Sequence, residues 1–161
     1  ERLLQIVEEC IESEDSPELT SSSTKEVPVC YGSEFGPDLE EVAAYHKLSV
    51  EEVIRLHCAP LYQVYMIGFT PGFAYLGGLD ERLHTPRKSE PRKKVLAGSI
   101  GIADQQTGIY PIDSPGGWQL IGKTPLKIFD PGRETPFLIQ AGDLIRFIPI
   151  TGEEFEKHPD R

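Results

Sequence analysis

Residues 95–129 read VLAGSIGIADQQTGIYPIDSPGGWQLIGKTPLKIF. Short strand-like segments recur here among Gly, Pro and Asp/Ser turns, with no long helical pattern between them. Such spacing predicts β-strands over Val95–Ala103, Gly108–Ile112, Trp118–Ile121 and Leu126–Phe129. Working outward, Tyr62–Phe69 and Leu144–Ile150 extend the pattern. No helical period separates these strands, so a parallel βαβ sheet is disfavoured and a barrel or sandwich is expected. Composition agrees, because 15 Gly and 14 Pro in 161 residues supply many turns.

Upstream the pattern changes. Residues 2–11 carry Leu3, Leu4, Ile6, Val7 and Ile11 at helical spacing, and Glu12–Glu26 is a polar linker or surface loop. Val27–Tyr31 is a short β-like run. Asp38 followed by Glu41 resembles a capping box ahead of Leu39, Val42 and Ala43, and Ser49 with Glu52 repeats the device ahead of Val50, Val53, Ile54 and Leu56. Two short helices are therefore expected before Pro60. The charge divides in the same place: residues 1–61 hold 14 acidic and 4 basic side chains, residues 62–161 hold 12 of each, and the net charge is −10. We read residues 1–61 as an acidic helical segment, the remainder of an amino-terminal domain and linker, and residues 62–161 as the β-domain. The absence of an initiator Met suggests a start inside a longer chain.

An acidic field repels phosphate backbones, which disfavours nucleic-acid partners. No run of 18 apolar residues is present, so no membrane span is expected. Cys10, Cys30 and Cys58 form no CxxC pair, and they predict reduced, buried thiols in a cytoplasmic protein rather than a metal site. One basic run, Arg82 to Lys94, opposes the acidic trend and lies in a connection of about twenty-five residues, long enough to be functional. Gly117–Thr124 satisfies the phosphate-loop string GxxxxGK[ST], but Pro125 follows directly and no helix fits, so a nucleotide loop is not expected. The polar groups of Gln106, Thr107, Tyr110, Ser114 and Gln119 need partners if buried. With Trp118 and the loop residues His84, Arg87 and Arg92 they form the candidate pocket, suited to a carboxylate or amide. No catalytic residue and no metal ligand is assigned.

The strings Ile67-GFTPGFAYLGGLD-Glu81, Thr85-PR, Ala97-GSIGIA-Asp104, Gln106-TGIYPI, Ser114-PGGWQLIGKTPLKIFDP-Gly132 and Ala141-GDLIRFIPI resemble the KipI/PxpB family, also described as allophanate hydrolase subunit 1. The resemblance covers about residues 27–150. It implies a mainly β fold, a cyclophilin-like β-barrel carrying a small helical amino-terminal segment. It also implies two activities. One is that of the B subunit of an ATP-dependent 5-oxoprolinase acting with subunits A and C, in which the assembled enzyme uses ATP and this segment binds no cofactor. The other is inhibition of a sporulation sensor histidine kinase at its dimerisation and phosphotransfer region. A subunit of an allophanate- or urea-type amidohydrolase and a non-catalytic cyclophilin-like binding module are the alternatives. Ala74, Leu96 and Lys123 depart from the family pattern, which often has Pro, Pro and Arg there.

Overall fold

A computed structural model describes residues 24–160; the expected helix over residues 2–11 and Cys10 lie outside them. The strands are β1 (Thr24–Tyr31), β2 (Tyr62–Ile67), β3 (Ala74–Gly77), β4 (Arg92–Val95), β5 (Ser99–Ala103), β6 (Gln106–Ile109), β7 (Ser114–Gly116), β8 (Gln119–Lys123) and β9 (Leu144–Ile150). Seven of them close a barrel in the order β1-β8-β5-β6-β3-β2-β9, and β4 pairs with β7 in a separate two-stranded sheet. Around a ring of seven, strand direction cannot alternate at every step, so one neighbouring pair must be parallel. That pair is β1 and β9, in register from Thr24 opposite Leu144 to Cys30 opposite Ile150. The fold is thus mainly β with a few short helices, as expected.

Alternation along each strand sends Val27, Val29, Val64, Leu76, Ile100, Ile102, Ile109, Ile145 and Phe147 to one buried core. Helices α1 (Leu39–His46) and α2 (Val50–Cys58) add Leu39, Val42, Val53 and Leu56 to that same core. The change in charge at residues 61/62 is therefore not a break in the barrel: β1 belongs to its wall and both helices pack on it. Helix α2 starts with the expected capping box, Ser49 and Glu52 each accepting the other's backbone amide at 3.2 Å. Helix α1 does not. Asp38 makes no side-chain cap bond there, because its carboxylate is engaged across the fold. A third helix, α3 (Gly152–Glu156), buries Phe155 after a second capping box, Thr151 with Glu154.

Three strand expectations need correction. Val95–Ala103 is two strands in two sheets, broken by a turn in which Gly98 takes φ +83°. Leu126–Phe129 forms no strand, only an isolated bridge from Phe129 to Phe137. The long connection of residues 70–94 contains β3, a 3-10 turn over Glu81–Leu83 and part of β4. The phosphate-loop string is spent as β8, with the Thr124 amide donating to the Gly98 carbonyl at 2.9 Å. Those amides serve the barrel wall.

Candidate functional site: an aromatic pocket on the outer wall

Gly101 of β5 and Gly108 of β6 alternate with the inward residues Ile100, Ile102, Thr107 and Ile109, so their bare Cα atoms face out of the barrel. Against this surface lies a second apolar cluster, Phe73, Val95, Ala103, Tyr110, Trp118 and Leu120, with Tyr75 packed on it. A Cβ on Gly108 would come within 2.9 Å of both Phe73 and Trp118, so only glycine lets the two rings rest on the strand. Trp118 is 5% exposed. The rings of Phe73 and Tyr110 cross at 86°, Phe73 and Trp118 at 79°, Tyr110 and Trp118 at 83°. Edge-to-face pairs of this kind contribute about 0.5–1.5 kcal/mol each beyond burial, which favours a fixed box over loosely packed rings.

The box opens into a cavity of about 250 Å³ lined by Phe69, Phe73, Tyr75, Tyr110 and Trp118, by Arg87, and by Pro91 and Pro115–Gly117. Phe69 stands at its mouth, 66% exposed, in a turn where it adopts φ +64°. Burial pushes the Tyr110 hydroxyl up to about 12, against the opposing effect of the Trp118 backbone amide, so it stays protonated at neutral pH. Arg87 is the charged residue of the lining. Its guanidinium carbon lies 5.9 Å from the Trp118 ring centroid and its Nε is 3.4 Å from Asp104 Oδ2. Each contact is worth on the order of 1 kcal/mol or less at such exposure, so the guanidinium is restrained but displaceable.

Of the residues picked from sequence, Arg87, Tyr110 and Trp118 come together here. The others lie elsewhere. Arg92 turns away to Asp38 and lines a different groove, so the expected pair of arginines is split. Gln119 is buried, accepting from Lys88 Nζ at 3.3 Å and donating to the Pro86 carbonyl at 3.0 Å, and so secures the segment that carries Arg87. His84 donates to the Leu79 carbonyl. Gln106 opens β6 opposite Ala103. Thr107 faces the barrel interior, fully buried. Ser114 is buried in β7, and its Oγ finds no partner among the described residues. Sequence reading misses Phe69, Phe73 and Tyr75. The signal is FTPGFAY, aromatic residues on both sides of a Pro-Gly turn.

Sequence reading also misses two buried polar groups. Asp38 Oδ1 accepts from Arg92 at 2.6 Å and from Lys88 at 2.9 Å, while Oδ2 accepts from the Leu120 amide at 2.6 Å. Burial raises its carboxyl pKa, but Arg92, the Leu120 amide and Lys88 together outweigh burial and hold it below the ordinary value. Inside the barrel His57 bridges Tyr31 and Thr107 at 2.8 and 2.9 Å. The thiols of Cys30 and Cys58 are pushed up by burial, which leaves them poor nucleophiles. Among the described residues no group of three or more His, Cys, Asp or Glu is placed to hold a metal ion.

A closed seven-stranded barrel, capped by two helices and carrying an aromatic, arginine-edged pocket on its outer wall, defines the class. The chain belongs to the family described as Carboxyltransferase domain, subdomain C and D, which matches residues 1–139. It is 56% identical over 135 residues to the 5-oxoprolinase B subunit of Bacillus subtilis, covering 84% of this chain and 56% of that one. It is 57% identical over 123 residues to the 5-oxoprolinase B subunit of Haemophilus influenzae, covering 76% and 58%. A crystal structure of a conserved uncharacterised protein from Pyrococcus horikoshii superposes with a TM-score of 0.80 at 58% identity, over 83% of this chain and 62% of that one. The urea amidolyase of Kluyveromyces lactis shares the fold, with a TM-score of 0.70 at 22% identity over 84% of this chain and 10% of that one. The chain spans somewhat more than half the length of the curated relatives it matches. No described helix is long and apolar enough to cross a membrane.

Proposed function

We propose that this chain is part of the B subunit of a 5-oxoprolinase, a cytoplasmic enzyme that opens the 5-oxoproline ring to glutamate together with partner subunits A and C. The observation that carries the reading is its 56–57% identity to curated B subunits of three bacteria. The family match over residues 1–139 includes every residue of the aromatic pocket. The geometry supports a binding role. A small ring with one carboxylate fits 250 Å³, its methylene faces against Trp118 and Phe73 and its carboxylate on the Arg87 fork. ATP is used by the assembled enzyme, and the string that resembles a phosphate loop in this chain is already committed to β8.

In the reconstituted full-length complex, Arg87→Ala is expected to lower ATP-dependent 5-oxoproline turnover about tenfold or more, mainly through KM. The thermal midpoint should barely move, because Arg87 is 57% exposed on its side chain. Wild-type turnover in the variant would remove the pocket from the reaction.

Kinase inhibition is a second reading, supported by the resemblance and by the exposed side chains of Tyr65, Met66 and Phe69. A saturating amount of this chain is then expected to lower autophosphorylation of a sporulation sensor histidine kinase. Unchanged phosphorylation would take that role away from it.

A further inference from the structure

We propose that Asp104 is a built-in competitor for the pocket's ligand, a carboxylate that occupies Arg87 and sets how tightly an external carboxylate is held. The inference rests on the reading of the pocket as a site for a small ring-bearing carboxylate. Three observations carry it. Arg87 is the charged residue of the lining, so any anion entering the pocket must address its guanidinium. Asp104 already addresses it, its Oδ2 3.4 Å from Nε, with side chains 57% and 62% exposed. Such a contact is easily exchanged for a bidentate one on the terminal nitrogens.

The third observation is that the competitor is held in place by the backbone. Asp104 sits at the turn between β5 and β6 with φ +53°, a left-handed conformation that Asp and Asn tolerate better than other side chains. Its amide donates to the Thr85 carbonyl at 2.7 Å, and Thr85 and Asp104 form an isolated bridge. Thr85 lies two residues before Arg87. The turn bearing the carboxylate is thereby clipped to the segment bearing the guanidinium, and the two charges remain within reach whether or not the pocket is filled. A ligand carboxylate must either displace Asp104 or bind beside it, and in both geometries the resident negative charge opposes it.

Trp118 is the sole tryptophan of the chain, so its emission reports pocket occupancy directly. The full chain is titrated with 5-oxoproline and with its uncharged amide, and in parallel with benzoate and benzamide. Asp104→Asn keeps a side chain that the left-handed turn accepts. It should tighten binding of the carboxylates about two- to fivefold, the range of an exposed ion pair, and leave the amides unchanged. Arg87→Gln should abolish the preference for acid over amide. Unchanged or weaker carboxylate binding in Asp104→Asn, or an equal gain for acid and amide, would overturn the proposal. A silent 5-oxoproline titration alongside an Asp104-dependent benzoate response keeps the competitor and discards 5-oxoproline as the ligand. Silence with both carboxylates discards both.

Discussion

Replacement of Asp38 by Ala is expected to cost about 3 kcal/mol of stability, which for a chain of this size lowers the thermal midpoint by roughly 6–12 °C. The Asp38 side chain is 4% exposed and holds three donors from two parts of the molecule: Lys88 and Arg92 from the long connection, and the Leu120 amide from β8. Without the carboxylate, the Leu120 amide loses its acceptor in the barrel wall. Two cations, each about a quarter exposed, also lose their common counter-ion. Partial exposure lets the cations recover some hydration, which keeps the cost toward the lower end for a broken buried pair. Asp38→Asn retains the volume and one oxygen for Leu120, so it separates shape from charge. If charge dominates, the Asn variant should lose most of the same stability, as measured by urea unfolding. The functional consequence follows from connectivity. Residues 85–91 carry both Arg87 and Pro91 to the pocket and are tethered through Lys88, so the Asp38 variants should also weaken ligand-induced changes in Trp118 emission. A loss under 1 kcal/mol in Asp38→Ala would show that the tether lies elsewhere.

The strands most legible in the sequence are those whose burial is two-sided or regularly alternating, such as β5, β8 and β9, because periodicity reports the face a residue occupies. What stays hidden depends on contacts distant in sequence. The polar start of β1, Thr24-Lys-Glu, is extended because β9 recruits it in parallel register, and no local signal encodes a partner more than a hundred residues away. β3 is hidden because Ala74–Gly77 is too short to show a period. Asp38 does stand at the N-cap of a helix, as its sequence context predicts, but its side chain makes no cap bond, since its partners lie far away in sequence. The same limit governs the pocket. Trp118 and Arg87 stand out by residue type, but the outward glycines that make room for the rings are intelligible only after strands β5 and β6 are paired. His57 illustrates the converse. It completes the buried face formed by Val53 and Leu56, so its position is legible while its bonding is not.

That bonding fixes a proton and predicts a pH dependence. Thr107 Oγ1 has one hydrogen, which goes to the Gly101 carbonyl at 3.0 Å, so the hydroxyl must accept from His57 Nε2. Nδ1 is then the unprotonated nitrogen and accepts from the Tyr31 hydroxyl, which in turn accepts from the Cys58 thiol at 3.3 Å. The ring stacks on Phe147 at 4.6 Å, and Tyr62 donates to the His57 carbonyl. The groups packed around the imidazole are neutral, and burial lowers its pKa from 6.5 to about 3. An unfolded chain binds this proton near pH 6.5, whereas the native chain does not until about pH 3. Stability contributed by neutral His57 is therefore complete above pH 6.5 and is lost as pH falls, by about 1.4 kcal/mol per unit and roughly 2 kcal/mol by pH 5. His46, also lowered by burial, acts in the same direction. The lowered carboxyls of Asp38 and Asp113 contribute only nearer pH 4 and below. His57→Asn places an amide oxygen near Nδ1 and cannot titrate. It should be less stable than the wild type at pH 7, by about 2 kcal/mol for the lost volume and the lost bond to Thr107. The gap should then narrow or close by pH 5. Urea unfolding at pH 7, 6 and 5 measures both slopes, and parallel profiles for the two proteins would show that the buried imidazole is not the group that titrates.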